Sequence, residues 1–73
     1  MEIQATFHNT GRDKKFENAK LYWQDQFFGD VGSGQKLKVN TYVSHVWNVK
    51  NDAGETLHTF SIDHGNAERF FTF

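Results

Sequence analysis

Hydrophobic and polar residues alternate along most of the chain in six short runs, and Gly, Asn or Asp residues separate most of these runs. In the first run, Ile3, Ala5 and Phe7 alternate with polar residues, which is typical of a β-strand with one buried face. No window has apolar residues at the spacing of an amphipathic helix, so we expect no helix longer than about one turn. The predicted strands cover residues 3–8, 19–24, 36–41, 43–50, 57–62 and 70–73.

The connections between the predicted strands are short and contain no proline. Gly, Asn and Asp therefore supply the turn chemistry, and we expect hairpins at residues 51–54 and 63–66. Loops this short cannot carry the crossovers of a parallel sheet, so the strands should be mostly antiparallel. The sequence thus predicts a single all-β domain over residues 1–73, a small antiparallel β-sandwich or partly open barrel of about six strands.

Aromatic residues make up 16% of the chain, and phenylalanine alone occurs 8 times. Each buried ring removes about 150–250 Å² from water, so a few rings can hold a small domain together. Phe70, Phe71 and Phe73 cannot all lie on one face of a strand, so one of them should be exposed or the strand should bulge. The expected core consists of Phe7, Leu21, Leu37, Val39, Phe60 and Ile62, with either Val46 or Trp47.

Charge and composition argue against several classes of function. The formal net charge is −1, so we expect no basic face for nucleic acid. No apolar run approaches the roughly 18 residues of a membrane span and no charged-then-apolar leader opens the sequence, so we expect no signal peptide and no membrane partner. With no cysteine and with four histidines that lack metal-site spacing, we expect no metal and no cofactor. No nucleophile or phosphate loop has its required sequence frame, so we expect no enzymatic activity.

The segment from Thr41 to Trp47 concentrates groups that can receive a ligand. If this segment is one extended strand, Thr41, Val43, His45 and Trp47 project to the same side. A hydroxyl, an imidazole and an indole on one surface can receive an apolar ring that bears one hydroxyl, with Thr41 and His45 sharing its polar end. The pattern by itself favours a second interpretation, in which Val43 and Trp47 are core residues and His45 is a buried histidine with its hydrogen bonds satisfied. Thr41 is then present only because threonine suits a strand.

The same segment carries a resemblance to a known family. Thr41-Tyr42-x-x-His45-x-Trp47 resembles the Ser/Thr-Tyr-x-x-His-x-Trp element in the β-domain of the von Hippel–Lindau protein family. This motif is the most specific of those that match.

Two further motifs match the same family in the same order. Phe7-x-Asn9 resembles the end of the family's first strand, and Trp23-x-Asp25, followed by Gly29, resembles its Trp-x-Asn/Asp turn. The order and approximate spacing hold over nearly the whole chain. The resemblance implies a β-sandwich that recognises an extended segment of another protein.

In the human member of that family the recognised residue is a hydroxylated proline, and the resemblance implies which residues would form the pocket here. Thr41 stands where a serine hydroxyl meets the hydroxyproline, and His45 matches the imidazole that bonds the same group. Trp47 matches the floor of the pocket and Trp23 matches one of its walls.

The chain departs from the family in two ways. It has no room for the long loop whose tyrosine closes the pocket, so Phe27 or Phe28 is expected to replace that ring. The carboxy-terminal α-domain that recruits elongin and the ubiquitin ligase has no counterpart here, so the chain by itself is not expected to act as a ligase adaptor. The candidate ligand-binding residues are therefore Trp23, Phe27, Phe28, Thr41, Tyr42, His45 and Trp47.

Three classes of function fit the sequence. The first is a peptide- or protein-binding module that recognises a hydroxyproline-containing extended segment. The second is a carbohydrate-binding module, in which Tyr22, Gln24 and Asn48 would contact the sugar. The third is a structural domain that forms homo-oligomers through its Phe-rich terminus. The expected partner is accordingly a protein or peptide ligand, a sugar or a second copy of the chain.

Overall fold

Two β-sheets build the domain in the computed structural model, which describes residues 2–62 and 69–73. Within these residues the chain forms seven strands and one turn of 3-10 helix over Lys14–Phe16. The all-β prediction is confirmed, with one strand more than the six expected. The strands are β1 (Glu2–His8), β2 (Lys20–Trp23), β3 (Gln26–Asp30), β4 (Lys36–Tyr42), β5 (Val46–Lys50), β6 (Thr56–Ser61) and β7 (Phe70–Thr72).

The strands divide into a three-stranded sheet and a four-stranded sheet. The first has the order β4-β1-β7 and the second the order β3-β2-β5-β6. Among the described strands, β1 and β7 run parallel and the other pairs run antiparallel. The prediction of a mostly antiparallel fold is therefore confirmed. Of the rings at the end of the chain, Phe70 is the exposed one, which is one of the two outcomes expected.

Strand β3 is missing from the sequence-based prediction. Its hairpin with β2 turns at Gln24 and Asp25, which have positive φ values of 49° and 62°, as both central residues of a type I′ turn require. Asn-Gly or Asp-Gly usually marks such a turn, and Gln-Asp gives no such signal. Gly29 and Asp30 are residue types that often mark a turn, but here both pair with β2 in the ladder.

The predicted strand over residues 43–50 is wrong at its start, because β5 begins only at Val46. Residues 43–45 form a turn, in which Ser44 has a left-handed backbone with φ of 82°. Two backbone hydrogen bonds hold this turn beside the end of β6. The Ser44 N–H donates to the Ile62 carbonyl at 2.7 Å, and the Ile62 N–H donates to the His45 carbonyl at 2.9 Å. The chain thereby passes from one sheet to the other.

The predicted hairpin at residues 51–54 is confirmed. The Asn51 Oδ1 accepts hydrogen bonds from the N–H groups of Ala53 and Glu55, both at 3.0 Å, which is the local bonding that favours Asn in turns. Gly54 has a φ of 83°, a conformation that glycine adopts without steric cost. The predicted turn at residues 63–66 lies outside the described residues.

The core lies between the two sheets, around the buried ring of Phe7. This ring contacts the rings of Trp47 and Phe71 at centroid distances of 5.7 and 5.3 Å. Phe7, Leu21, Val39, Trp47 and Ile62 are buried as predicted, whereas Leu37 and Phe60 are partly buried and Val46 is exposed. The predicted core omits Phe16, which lies outside any strand pattern. It also omits four further buried residues: Ala5, Ala19, Val31 and Val49.

Asn9 joins three segments from a buried position. Its side-chain amide donates hydrogen bonds to the carbonyl oxygens of Phe16 at 2.6 Å and Val31 at 3.0 Å. Its Oδ1 accepts a hydrogen bond from the Gly11 N–H at 3.0 Å. A buried polar group without partners costs about 1–3 kcal/mol, so these three bonds explain why an amide is stable here. They hold the 3-10 helix and the segment after β3 against the end of β1.

Candidate functional site

Six of the seven candidate residues meet where the turn at residues 43–45 reaches the four-stranded sheet. Trp23 ends β2 and lies opposite Trp47 of β5. Thr41 and Tyr42 end β4, His45 lies in the turn, and Phe28 belongs to the edge strand β3. We call this group the aromatic site: Trp23, Phe28, Thr41, Tyr42, His45 and Trp47.

The sequence predicts that Thr41, Val43, His45 and Trp47 share one face of a single strand, and this prediction is wrong. The left-handed turn at Ser44 ends the alternation, so Thr41 belongs to one sheet and Trp47 to the other. The turn nevertheless brings three of the four predicted side chains into contact, because it folds His45 back over the end of β4.

A chain of hydrogen bonds links these three side chains. The Trp47 indole Nε1–H donates to the Thr41 Oγ1 at 2.9 Å, and Thr41 Oγ1 lies 3.2 Å from the His45 Nδ1. Thr41 is fully buried and Trp47 is 1% exposed, so water does not take part. The Trp47 end of this hydrogen-bond chain is therefore closed to solvent, and only the His45 end is partly exposed.

The direction of the bonds follows from donor and acceptor capacity. The Thr41 hydroxyl has one proton to donate, and the His45 Nδ1 is the acceptor that the structure places within reach. Because the Thr41 oxygen already accepts from Trp47, the opposite direction would leave the hydroxyl proton unpaired in a buried position, and we assign Thr41 as the donor to Nδ1. A neutral imidazole that accepts at Nδ1 carries its proton on Nε2. His45 therefore presents an Nε2–H donor on the outer side of its ring.

Two aromatic rings flank the His45 ring, and a third lies next to one of them. The Trp23 ring lies 4.7 Å from the His45 ring, centroid to centroid, at an interplanar angle of 32°. The Tyr42 ring lies 5.4 Å from the His45 ring. Phe28 lies edge-on to Trp23 at 6.4 Å. The arrangement combines one polar donor with an apolar surround, which suits a small ring that carries a hydroxyl group.

The aromatic site has two layers with different access to a ligand. Phe28 and Tyr42 are 44% and 46% exposed, and Trp23 and His45 are partly exposed. Thr41 and Trp47 lie beneath them. The predicted hydrogen bond from Thr41 to a ligand hydroxyl is therefore not available in this conformation, because Trp47 and His45 already occupy the Thr41 oxygen. Likewise, Trp47 does not form an open floor.

The two neighbouring phenylalanines of β3 lie on opposite faces of the sheet. The ladder between β2 and β3 shifts register between Leu21 and Tyr22, which leaves Phe28 without a direct partner. Such a bulge re-aims a side chain, and here it directs the Phe28 ring over Trp47, at 4.8 Å. Phe27 instead contacts Tyr22 at 5.7 Å and does not join the aromatic site. Of the two phenylalanines, only Phe28 therefore belongs to the aromatic site.

Two of the candidate sugar-binding residues, Tyr22 and Asn48, lie on the opposite face of the same sheet, and the third, Gln24, lies in the turn between β2 and β3. Tyr22 lies opposite Asn48 in the ladder. The Tyr22 ring is edge-on to Phe27 and has the Lys50 ammonium 4.7 Å from its centroid. The Asn48 Oδ1 accepts a hydrogen bond from Thr59. Sugar rings stack on open aromatic faces, and here one face of Tyr22 is already covered by a cation.

A polar cavity of about 230 Å³ lies away from the aromatic site, beside Lys20. The Lys20 Nζ lies 2.9 Å from the Asp52 Oδ1 and 3.2 Å from the Asp30 Oδ1. Hydrogen bonds to Asp52 and then to Asp30 hold the pKa of Lys20 above its usual value. The one ammonium is shared between two carboxylates, so these three side chains keep one net negative charge and the Lys20 cation is already engaged.

The described part of the chain has neither a metal-ligand cluster nor a helix that could span a membrane. Residues 2–62 and 69–73 include no cluster of three or more His, Asp or Glu side chains that could hold a metal ion. No helix in that part of the chain is long and apolar enough to span a bilayer.

Comparisons with models of protein families, with curated protein sequences and with solved structures found no match. The structure itself shows a small all-β domain of two sheets.

Proposed function

We propose that this domain is a peptide-binding module whose aromatic site takes a small hydroxylated ring from an extended segment of another protein. Hydroxyproline is the residue that the resemblance to the von Hippel–Lindau β-domain implies. The observation that carries the proposal is the hydrogen-bond chain from Trp47 through Thr41 to His45, which fixes an Nε2–H donor at the surface between aromatic rings.

The direction of the hydrogen bonds from Trp47 through Thr41 to His45 supports recognition of a hydroxyl. The His45 Nε2–H can donate to a hydroxyl oxygen, while the Trp23 ring beside it can cover the apolar part of the ligand ring. A ligand without the hydroxyl would leave this donor unpaired once the site is covered. A buried unpaired donor costs about 1–3 kcal/mol, which corresponds to roughly tenfold to a hundredfold in affinity.

In this proposal Thr41 and Trp47 support the His45 ring from behind. Their hydrogen bonds select the tautomer of His45 and hold its ring in place. Tyr42 flanks His45 at 5.4 Å and offers an exposed hydroxyl-bearing ring to the neighbouring part of a peptide.

An NMR titration with matched peptides tests the proposal. The labelled domain is titrated with an extended peptide containing one hydroxyproline, with its proline twin and with a panel of simple sugars. We expect the hydroxyproline peptide to bind at least about tenfold more tightly than the twin and to shift the Trp23 indole and His45 ring signals. Equal binding of the two peptides contradicts the proposal, and sugar-dependent shifts at Tyr22 and Asn48 favour a carbohydrate-binding module instead.

Self-association is the second candidate function, and an exposed ring at a sheet edge favours it. Among the described strands β7 lies at an edge, and its Phe70 is 39% exposed. Exposed apolar edge strands are sites at which further chains can pair. Sedimentation over a concentration series distinguishes this candidate, since Phe70→Ser should then abolish a dimer that the unaltered chain forms.

A further inference from the structure

Phe28 occupies the space above Trp47 in which a ligand ring would have to lie to reach the indole. Its ring centroid is 4.8 Å from that of Trp47, at an interplanar angle of 73°. Trp47 is only 1% exposed, and its other ring contacts, with Phe7 and Trp23, are longer at 5.7 and 6.4 Å. Phe28 is thus the nearest ring over Trp47, and it covers the apolar half of the site.

The position of Phe28 makes this cover easy to displace. Phe28 is 44% exposed, so its ring contributes only about half of the free energy that a fully buried phenylalanine contributes to the fold. Displacing the ring costs correspondingly little. It lies on an edge strand and at a bulge, where no β2 residue stands directly opposite it. Moving its side chain therefore disturbs neither a central strand nor a paired position of the ladder.

We infer that Phe28 is a replaceable cap over a ring-binding subsite that has Trp47 as its floor, and that a ligand ring binds by displacing it. This inference rests on the proposed function for the identity of the ligand, and it adds how the apolar half of the ligand gains access. The subsite takes a single ring of about the size of phenyl with a hydroxyl directed towards His45. Affinity in the unaltered chain is reduced by the need to expose the Phe28 ring first.

Phenol is a suitable probe, because it is one apolar ring with one hydroxyl. It is titrated into the unaltered domain and into Phe28→Ala and Phe27→Ala, with the Trp23 and Trp47 indole N–H signals as the readout. Phe27 is the matched control, since it is the adjacent residue, is 50% exposed and lies on the other face. Thermal unfolding verifies that each variant folds, and Phe28→Leu serves if Phe28→Ala does not fold.

We expect Phe28→Ala to bind phenol about fivefold more tightly than the unaltered chain. In this variant binding no longer has to offset the free energy of exposing a half-buried phenylalanine ring. The Trp47 signal should shift, and Phe27→Ala should behave like the unaltered chain. Equal phenol affinity in Phe28→Ala and Phe27→Ala overturns the inference.

The matched peptides separate this inference from the proposed function. If Phe28→Ala binds phenol more tightly but no variant prefers the hydroxyproline peptide to its proline twin, the proposed function fails and the subsite stands. If the unaltered chain has that preference and Phe28→Ala loses it, the proposed function stands. Phe28 is then a wall that contacts the ligand, and the inference that it is a displaceable cap is overturned.

Discussion

Replacing Thr41 by valine should break the hydrogen-bond chain at its centre while keeping the shape of the side chain. The Trp47 Nε1–H then loses its acceptor at 2.9 Å, in a position that water does not reach because Trp47 is 1% exposed. A buried donor left unpaired costs about 1–3 kcal/mol, so we expect a loss of about 2 kcal/mol. A chain of this length has about 4–11 kcal/mol of stability in total, so the loss is a large fraction.

Thr41→Ser is the matched control, because serine keeps the hydroxyl and lacks only a buried methyl group. That deletion should cost about 1 kcal/mol. The order of stabilities is the diagnostic result, since valine is the larger and better strand-forming residue and would otherwise be favoured. We expect Thr41→Ser to be more stable than Thr41→Val by about 1 kcal/mol.

Urea unfolding followed by tryptophan fluorescence measures the free energies, and ring-nitrogen NMR reports the His45 tautomer. For a domain of this size a loss of 2 kcal/mol lowers the Tm by about 8–16 °C. The unaltered chain and Thr41→Ser should carry the His45 proton on Nε2, and Thr41→Val should lose that preference. The reasoning is refuted if Thr41→Val is at least as stable as Thr41→Ser with an unchanged tautomer.

Three further predictions follow from backbone strain, the buried amide and the lysine ion pairs. Ser44→Gly should stabilise the domain by about 1 kcal/mol in urea unfolding, since Ser44 holds a φ of 82°, while Ser44→Ala should give no gain; equal effects of the two substitutions would contradict backbone strain at Ser44. Asn9→Ala should cost about 2 kcal/mol or more, because the Val31 carbonyl and the Gly11 N–H lose the partner that the Asn9 side chain provides, while the Phe16 carbonyl keeps only its bond from the Ala19 N–H; a loss below about 1 kcal/mol would show that water replaces the amide. Because Asp52 and Asp30 raise the pKa of Lys20, its ion pairs stabilise the fold below the ordinary lysine pKa of about 10.4 and are lost as the pH rises through the raised value. The Tm difference between the unaltered chain and Lys20→Gln should therefore shrink above that pH, and a constant difference would argue against the ion pairs.

Strands with regular alternation and marked turns could be predicted from the sequence. The pattern around Ile3, Ala5 and Phe7 gives β1 correctly, and the Asn51 turn gives the β5–β6 hairpin. Both signals are local, because the alternation lies within the strand that it predicts and the turn residues lie within the turn that they predict. Strand β3 is not predictable in this way, since its Gln24-Asp25 turn lacks glycine and its bulge interrupts the period.

The candidate site was predictable in membership but not in geometry. The residue types at Thr41, His45 and Trp47 indicate a hydroxyl, an imidazole and an indole close together, and the structure places them in hydrogen-bonding contact. The left-handed conformation of Ser44 could not be read from its residue type. The burial of Thr41 and the cap formed by Phe28 depend on how the two sheets meet, which is a property of tertiary packing.

The most direct test of the central claim compares peptide discrimination in the unaltered chain with that in His45→Ala. The quantity measured is the ratio of the Kd values for the proline peptide and its hydroxyproline twin, with His58→Ala as a control at an exposed histidine of β6. If the His45 Nε2–H recognises the hydroxyl, the ratio is roughly 10–100 in the unaltered chain and in His58→Ala. It should fall to about 1 in His45→Ala, while that variant still unfolds cooperatively. A ratio that His45→Ala leaves unchanged, or a ratio near 1 in the unaltered chain, would contradict the claim.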